Sequence, residues 1–294
     1  MAASPPLEET HLSIFVQVIP NGIVSGALLA VVAIGLTLIF GILQVINFAH
    51  GVLFLMGAYI VWYLTTHGVP YYAALLAAMA LLGLAGVLLE IGIFNRLHGK
   101  VLEGAIAGIA VMVLLQNALT YVLPGDPQAL DSPLNGRVEL GGVVISHHRL
   151  FVVAVACSLC YGVYAFIRYT RLGRAIRAMQ QDRIAAELQG IRVRTLGPLA
   201  FGIGAGLAGI AGGLVAPLQS ISLTMGDAPL LSAFVVVILG GMGSVGGTFA
   251  AALLIGITQS IATTYWSAPG AVAVSFLLAM VVLVLRPEGL ARHA

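Results

Sequence analysis

Three polar residues, Gln44, Asn47 and His50, recur every three positions in an otherwise apolar part of the chain. Residues three apart lie on one face of a helix, so we expect these side chains to point the same way. Polar groups at membrane depth are costly unless they line a wet cavity or find partners. The spacing therefore has three interpretations. The residues line a translocation path or a helix junction, or they form hydrogen bonds between helices. A proton relay through His50 is the third alternative.

Two more pairs of polar residues are spaced four apart inside apolar stretches, and each pair would share a helical face. They are Gln116 with Thr120 and Gln259 with Thr263. We interpret both pairs as candidates to line a translocation path. The sequence has no cluster of His, Cys or acidic residues with the spacing of a metal site, so neither a metal nor a cofactor is predicted.

A glycine-rich string, GGMGSVGG, occupies residues 240–247. It contains a formal G-x-G-x-x-G, but a dinucleotide site would need a strand before it and an acidic residue about 20 positions later. No Asp or Glu occurs between Asp227 and Glu288, so that interpretation fails. Glycine also permits tight turns and close backbone approach, which predicts a broken helix whose end lines a path. The predicted break consists of Gly240, Gly241, Gly243, Gly246 and Gly247.

Two G-x-x-x-G pairs, Gly202 with Gly206 and Gly209 with Gly213, lie in one apolar stretch. Small residues at this spacing let helices approach closely. We expect this face to pack against another helix of the chain or against a second subunit.

The amino-acid composition indicates which kind of secondary structure must hold these residues. Hydrophobic residues make up 60% of the 294 residues, charged residues make up 8%, and the mean hydropathy is +1.05. An average soluble domain carries about 25% charged residues, so this chain cannot form a soluble surface. We predict an all-α, polytopic transmembrane bundle in which residues 1–294 form one domain, with helices in 12–167, a cytoplasmic coupling loop at 168–194 and further helices in 195–286. The net charge of +2 is too small to indicate nucleic-acid binding.

The apolar stretches are judged against the roughly 20 residues that one bilayer crossing needs. The first stretch is too long for one crossing and is punctuated by glycines, so we predict two tightly joined helices there, with one helix plus a re-entrant piece as the alternative. The stretch 230–240 is barely long enough, which predicts a discontinuous or tilted helix. We expect about eight or nine transmembrane helices, drawn from 14–46, 52–66, 71–93, 105–123, 150–167, 196–217, 230–240, 248–265 and 271–285.

Basic residues are confined to a few loops, a pattern that reports membrane orientation. Two lie in the loop 96–100, and seven arginines lie in the segment 168–194. Cytoplasmic loops carry an excess of Lys and Arg, so we predict that both loops and the tail with Arg286 and Arg292 are cytoplasmic. The more acidic loop 124–149 belongs on the other side.

The basic segment 168–194 is too regular to be a simple linker. Its residues Ile184, Leu188 and Ile191 recur with the spacing of one helical face. The pattern predicts a short amphipathic helix at the cytoplasmic surface. Such a helix either rests on anionic lipid headgroups or docks a soluble partner.

Within this segment the string AAELQGI, at 185–191, resembles the EAA-type loop of ABC-transporter permeases, in which a short cytoplasmic helix seats in a groove of the ATPase subunit. The blocks IGLTLIFGILQVINFAHGVLFLMGAY, at 34–59, and VVVILGGMGSVGGTFAAALLIG, at 235–256, are similar to the branched-chain amino acid ABC transporter permease family, LivH type. The resemblance runs from about residue 20 to residue 289. It implies contact with the ATPase at Arg183, Ala185, Ala186, Glu187 and Gly190.

The resemblance implies a permease subunit of an ABC importer that forms half of a pore in the cell (inner) membrane. Its expected partners are a second permease subunit, two ATP-binding subunits, an extracytoplasmic solute-binding protein and the lipid bilayer. No G-x-x-x-x-G-K-[ST] occurs, so nucleotide hydrolysis would come from separate subunits and the chain is not expected to be an enzyme. Branched-chain amino acids are the favoured solutes. A urea or other small-amide ABC permease is the alternative, followed by a secondary transporter or channel.

Overall fold

A computed structural model of the chain describes residues 7–97, 99–123, 125–140, 143–191, 193–286 and 289–290. Most of these residues are helical, and a two-stranded hairpin interrupts the helices. The helices are α1 (Leu7–Leu43), α2 (His50–Thr66), α3 (Tyr71–Gly92), α4 (Val101–Val122), α5 (His147–Tyr169), α6 (Arg171–Gln181), α7 (Arg183–Leu188), α8 (Val193–Val215), α9 (Asp227–Gly240), α10 (Val245–Tyr265) and α11 (Ala268–Leu285), and the strands are β1 (Arg137–Leu140) and β2 (Val143–Ser146).

Six of the described helices are long and apolar enough to cross a membrane. They lie in α1, α3, α4, α5, α8 and α10, and shorter apolar helices occur in α2, α9 and α11. The prediction of a helical, multi-pass bundle is therefore confirmed. The number of eight or nine crossings stays a prediction.

Residues 14–43 of this stretch lie in one helix, α1, and 44–46 follow its end, so the prediction of two joined helices is wrong. Its glycines do not break α1, because they serve as points where other helices approach. A Cβ added at Gly22 would lie 2.7 Å from the Cα of Ile257, and one added at Gly26 would lie 2.9 Å from the Cα of Leu253. Close approach of the α10 backbone, and not a turn, explains why α1 carries glycine at these positions.

The prediction of an all-α fold holds for the bundle and is wrong for the loop before α5. Strands β1 and β2 pair antiparallel, from Arg137 opposite Ser146 to Leu140 opposite Val143. Their β-branched residues favour extended structure. Gly141 and Gly142, which follow β1 and precede β2 in the sequence, lie outside the described residues.

The two ends of the bundle are distinguished by the elements that contact α1. Gln17 exchanges two hydrogen bonds with the backbone of Val144 in β2, Nε2 donating to the carbonyl at 3.0 Å and Oε1 accepting from the amide at 3.0 Å. Near the other end of α1, Gly41 lies against Gln180 of α6. We call these the hairpin end and the α6–α7 end.

Helix α1 lies at the centre and α4 and α5 at the periphery. Within the apolar 18-residue stretch of each helix, 83% of the residues are buried in α1, but only 11% in α4 and 17% in α5. Large apolar side chains of α3 and α4, such as Leu84, Leu88 and Leu114, point outward. An apolar outer surface around a packed helical centre is what a lipid solvent requires.

Helix α8 packs against α2 and α3 through its glycines. A Cβ added at Gly206 would lie 3.0 Å from the carbonyl oxygen of Met79, and one added at Gly209 would lie 2.5 Å from Leu82. From the α2 side, a Cβ at Gly57 would overlap the carbonyl of Gly209. Of the two alternatives for the G-x-x-x-G pairs, the structure shows packing within the chain.

Candidate functional site

Two of the shorter apolar helices, α2 and α9, meet inside the bundle at their N-termini. Helix α2 has 17 residues and α9 has 14, and at about 1.5 Å per residue α9 spans only about 21 Å. A Cβ added at Gly51 would lie 2.9 Å from the carbonyl oxygen of Gly226, so the two helix starts touch. His50 at the start of α2 donates from Nε2 to the carbonyl of Val32, in the middle of α1, over 3.0 Å. The junction is therefore deep within the bundle.

The residues Gln44, Asn47 and His50 do not share a helical face, because α1 ends at Leu43 and α2 begins at His50. Gln44 is exposed and adopts a left-handed conformation with φ of 54°. Asn47 and His50 are fully buried, and Asn47 Oδ1 accepts a hydrogen bond from the amide of Ala49 at 3.1 Å. The His50 bond is the interhelical hydrogen bonding that the sequence offered as one alternative.

The second candidate pair, Gln116 and Thr120, lies on α4, and both side chains donate to backbone carbonyls. Gln116 Nε2 donates to the carbonyl of Leu223 at 3.1 Å, which joins α4 to the segment before α9. Thr120 is exposed and donates back to the carbonyl of Gln116 at 3.0 Å.

The third candidate pair, Gln259 and Thr263, lies on the wall of a cavity of about 610 Å³. Gln259 Nε2 donates to Ser232 Oγ of α9 at 2.9 Å, and Ser232 lines the same cavity. The volume falls within the range of small-molecule sites. The other described lining residues are Asn21, Val24, Ser25, Leu28, Leu29, Val32, Phe54, Arg149, Val215, Leu218, Gln219, Ser220, Ser222, Thr224, Met225, Ala228, Pro229, Ala271 and Val272.

Arg149 lines this cavity and was missed as a site residue by the sequence reasoning, which used it only as a loop charge. It lies in the first turn of α5, where the cap residue Ser146 accepts from the Arg149 amide at 3.3 Å. Its guanidinium donates to Asn21 Oδ1 on α1. Asn21 lies one turn after Gln17, so one face of α1 holds both β2 and the start of α5.

The glycines 240–247 lie far from this cavity, at the α6–α7 end. Helix α9 ends at Gly240 and α10 begins at Val245, with Gly241 and Gly243 between them at φ of 90° and 91°. Gly246 and Gly247 fall within the first turn of α10, where Ser244 Oγ accepts from the Gly247 amide at 3.2 Å. No glycine of this string is among the described residues that line the cavity.

The basic segment forms two helices, α6 and α7, where one amphipathic helix was predicted. Thr170 caps α6 by accepting from the Gly173 amide at 2.9 Å, and Asp182 caps α7 by accepting from the Ala185 amide at 3.0 Å. The extended cap residue Asp182 separates the helices. Helix α6 buries Ile176 and Met179 against the bundle.

Helix α7 presents most of its residues outward. Ile184 and Leu188 are 73% and 84% exposed, whereas Ala186 is buried. Ala185, Glu187 and Gly190 are exposed, and Gly190 has φ of 82°. Ile191 packs partly buried against the bundle, so it does not share the exposed face of Ile184 and Leu188. The side chain of Arg183, together with the whole of Arg192 and Arg292, lies outside the described residues.

Gln180, near the end of α6, contacts two other elements. A Cβ added at Gly41 would overlap the Gln180 amide, and the same Cβ would lie 3.4 Å from the Cα of Gly243. A Cβ at Gly243 would lie 3.6 Å from Gln180 Nε2. The Gln180 side chain thus lies where α6, the end of α1 and the turn between α9 and α10 meet.

Comparisons with known proteins agree over nearly the whole chain. The model of a protein family described as "Branched-chain amino acid transport system / permease component" matches residues 18–285. The chain is 31% identical to the high-affinity branched-chain amino acid transport system permease protein BraD of Pseudomonas aeruginosa, over 94% of this chain and 95% of BraD. It is 30% identical to the permease protein LivH of Escherichia coli K12, with the same coverage.

Two more distant similarities concern a related permease and a solved structure. The permease protein LivM of Escherichia coli K12 is 27% identical, over 88% of this chain and 67% of LivM. A solved structure of PsaBC from Streptococcus pneumoniae in complex with Fab covers 91% of both chains with a TM-score of 0.50 and 11% sequence identity. At that identity the structure shows similarity of fold alone.

Proposed function

This chain belongs to the branched-chain amino acid permease family of ABC importers, and from that premise we propose that it forms part of the translocation path for a branched-chain amino acid or a related small solute in the inner membrane. The similarity over 94% of the chain to BraD and LivH carries the proposal. The cavity between α1, α9 and α10 supports it, because its volume suits a small solute.

The proposed assembly contains a second permease subunit, two ATP-binding subunits and an extracytoplasmic solute-binding protein. Similarity to both LivH and LivM, two permease proteins of one organism, favours a related but different second permease. The binding protein would deliver solute at the hairpin end, and the ATP-binding subunits would dock at the α6–α7 end. This orientation agrees with the excess of arginine in the segment 168–194.

The proposed docking surface is helix α7 with the residues that follow it. Ile184 and Leu188 are large apolar side chains that the rest of the chain leaves exposed, and such side chains at a polar membrane surface favour a protein contact. Ala185, Glu187 and Gly190 are exposed beside them, as a coupling contact requires. Arg183 is included in the proposed docking surface because it is the first residue of α7.

We propose that Gln180 transmits motion of the docked segment to the transmembrane helices. When the ATP-binding subunits close, α6 and α7 would move together, because the single residue Asp182 joins them. Gln180 contacts the end of α1 and the turn between α9 and α10, so that movement would shift α9 and α10 relative to α1. The cavity lies between these helices, and its opening would alternate between the two sides.

Of the predicted path residues, Gln259 and Thr263 are the ones we propose to meet the solute directly, since both line the cavity. His50 would act at the junction of α2 and α9 by fixing α2 to α1, and Asn47 would hold the turn before α2 through its bond to the Ala49 amide. Gln44, Gln116 and Thr120 lie outside the described lining and are not proposed as solute contacts.

Reconstitution tests the proposed function. The chain, a second permease and the ATP-binding subunits are placed in sealed liposomes with the binding protein outside and ATP inside, and uptake of radiolabelled L-leucine is followed. We expect accumulation that needs both ATP and the binding protein. Uptake that follows an ion gradient without either component would assign the chain to secondary transport instead.

A further inference from the structure

The cavity has one charged group on its described wall, and that charge is positive. Arg149 lines the cavity, and none of the described lining residues is Asp or Glu. A guanidinium beside a partly enclosed space attracts an anion more strongly than it would in bulk water, because the local dielectric constant is lower. The cavity therefore favours a solute that carries an anionic group.

Arg149 is held in place and retains donors for a ligand. Its backbone is fixed by the Ser146 cap, and one guanidinium nitrogen, Nη1, donates to Asn21 Oδ1. A guanidinium has five N–H donors in one plane, so this bond leaves most of them free for a second acceptor. A carboxylate matches that geometry because it accepts two parallel hydrogen bonds.

Both polar lining residues of α1 precede Leu28, Leu29 and Val32, with the apolar Val24 between them, and this order gives the bound solute a direction. Asn21 and Ser25 lie near Arg149 at the hairpin end, whereas Leu28 and Val32 lie deeper on the same face of α1. Phe54, from α2, also lines the cavity and lies one turn after His50, which is bonded to Val32. A solute with a carboxylate at one end and an aliphatic group at the other would match both parts of the wall.

We infer that Arg149 binds the carboxylate of an amino acid with an aliphatic side chain, and that the side chain points toward Leu28, Val32 and Phe54. This inference rests on the proposed import function and deepens it. Oxygen atoms of Ser25, Gln219 and Ser220 on the cavity wall are available to accept from the ammonium group. Urea, which is neutral, would leave the guanidinium without an anionic partner, so the same residue disfavours a small amide as solute.

Equilibrium binding to the complete permease and ATP-binding complex in lipid nanodiscs, without the binding protein, tests this inference. Radiolabelled L-leucine is displaced with unlabelled L-leucine, L-leucinamide or urea. L-leucinamide retains the aliphatic side chain and lacks the carboxylate. We expect displacement by L-leucine at concentrations at least about tenfold lower than by L-leucinamide or urea, as expected for loss of a charged hydrogen bond.

The variant Arg149→Gln is expected to bind L-leucine about tenfold more weakly and to lose the preference over L-leucinamide. Arg149→Lys should keep the preference in weaker form, because it retains the charge but not the bidentate geometry. Asn21→Ala removes the partner on α1 and retains the guanidinium, so it should keep the preference if Arg149 binds solute. The control Arg137→Gln, on the exposed hairpin beside Glu139, should match the wild-type protein.

Displacement of L-leucine by L-leucinamide as readily as by L-leucine in the wild-type complex would overturn the inference, and so would an unchanged preference in Arg149→Gln. ATP-dependent uptake in the liposome assay separates this failure from failure of the proposed function. If uptake is intact and the preference is absent, the assignment of Arg149 is wrong and the importer stands. If ATP drives no uptake, the proposed function itself is wrong.

Discussion

Replacing Gln180 by alanine should uncouple ATP hydrolysis from transport while leaving the bundle folded. The substitution removes the amide that lies between Gly41 and Gly243 and leaves a gap there, because glycine has no side chain with which to fill it. Movement of α6 would then be absorbed locally and would not reach the turn between α9 and α10.

The expected size of the uncoupling effect follows from what single residues along a chain of packed contacts contribute to coupling between two sites. Such positions change the coupling free energy by about 0.5–2 kcal/mol, which corresponds to about a 2- to 30-fold change. Gln180 joins three elements, so we expect a loss in the upper half of that range. The number of L-leucine molecules imported per ATP hydrolysed should fall about tenfold, and the ATPase rate itself should change little.

The assay measures uptake and phosphate release in the same liposomes. The neighbouring variant Gln181→Ala is the matched control, because it removes the same side chain at an exposed position. It should retain wild-type coupling. Wild-type uptake per ATP in Gln180→Ala would refute the proposed transmission route, and an equal loss in both variants would show that the effect is not specific to the contact with Gly41 and Gly243.

Three further perturbations test the packing and the docking surface. Gly57→Ala places a methyl group against the α8 backbone, so thermal unfolding in detergent should show a free energy of unfolding that is lower by about 1–3 kcal/mol. The control Gly92→Ala, where nothing lies within 4 Å of the added carbon, should change that free energy little. Leu188→Ser should lower recovery of the ATP-binding subunits on co-purification about tenfold, and full recovery would argue against docking on α7. Gly190→Ala forces an L side chain to φ of 82° and should reduce ATP-driven uptake without changing the membrane yield; Gly68→Ala, at φ of 89° near the hairpin end, is the control, and equal losses in both would contradict a specific role.

The helical stretches could be predicted from sequence because a bilayer imposes length and apolarity on every crossing. The predicted stretch 105–123 ends one residue beyond α4, and 150–167 lies within α5. The first helix was predicted wrongly because its glycines permit either a turn or a close approach. Only the facing residues decide between these, and the residues facing Gly22 and Gly26 come from α10, more than 200 positions away in the sequence.

Prediction of the cavity residues was limited in the same way, because the cavity is formed by tertiary contacts. Gln259 and Thr263 were identified by their spacing and do line it. Gln44 and His50 were grouped by equal spacing, which assumes a continuous helix that the structure interrupts between Leu43 and His50. Arg149 gave no signal as a cavity residue, because a charge next to an apolar stretch is also what membrane topology alone predicts.

The location of helix α7 tests the central claim most directly. In a background in which both native cysteines, Cys157 and Cys160, are replaced by alanine, Leu188→Cys is exposed to a thiol reagent that cannot cross membranes, in intact and in lysed spheroplasts. When the chain is produced without the ATP-binding subunits, which would otherwise cover Leu188, labelling is expected only after lysis, because the exposed face of α7 would lie in the cytoplasm. Labelling of Leu188→Cys in intact spheroplasts would contradict this expectation.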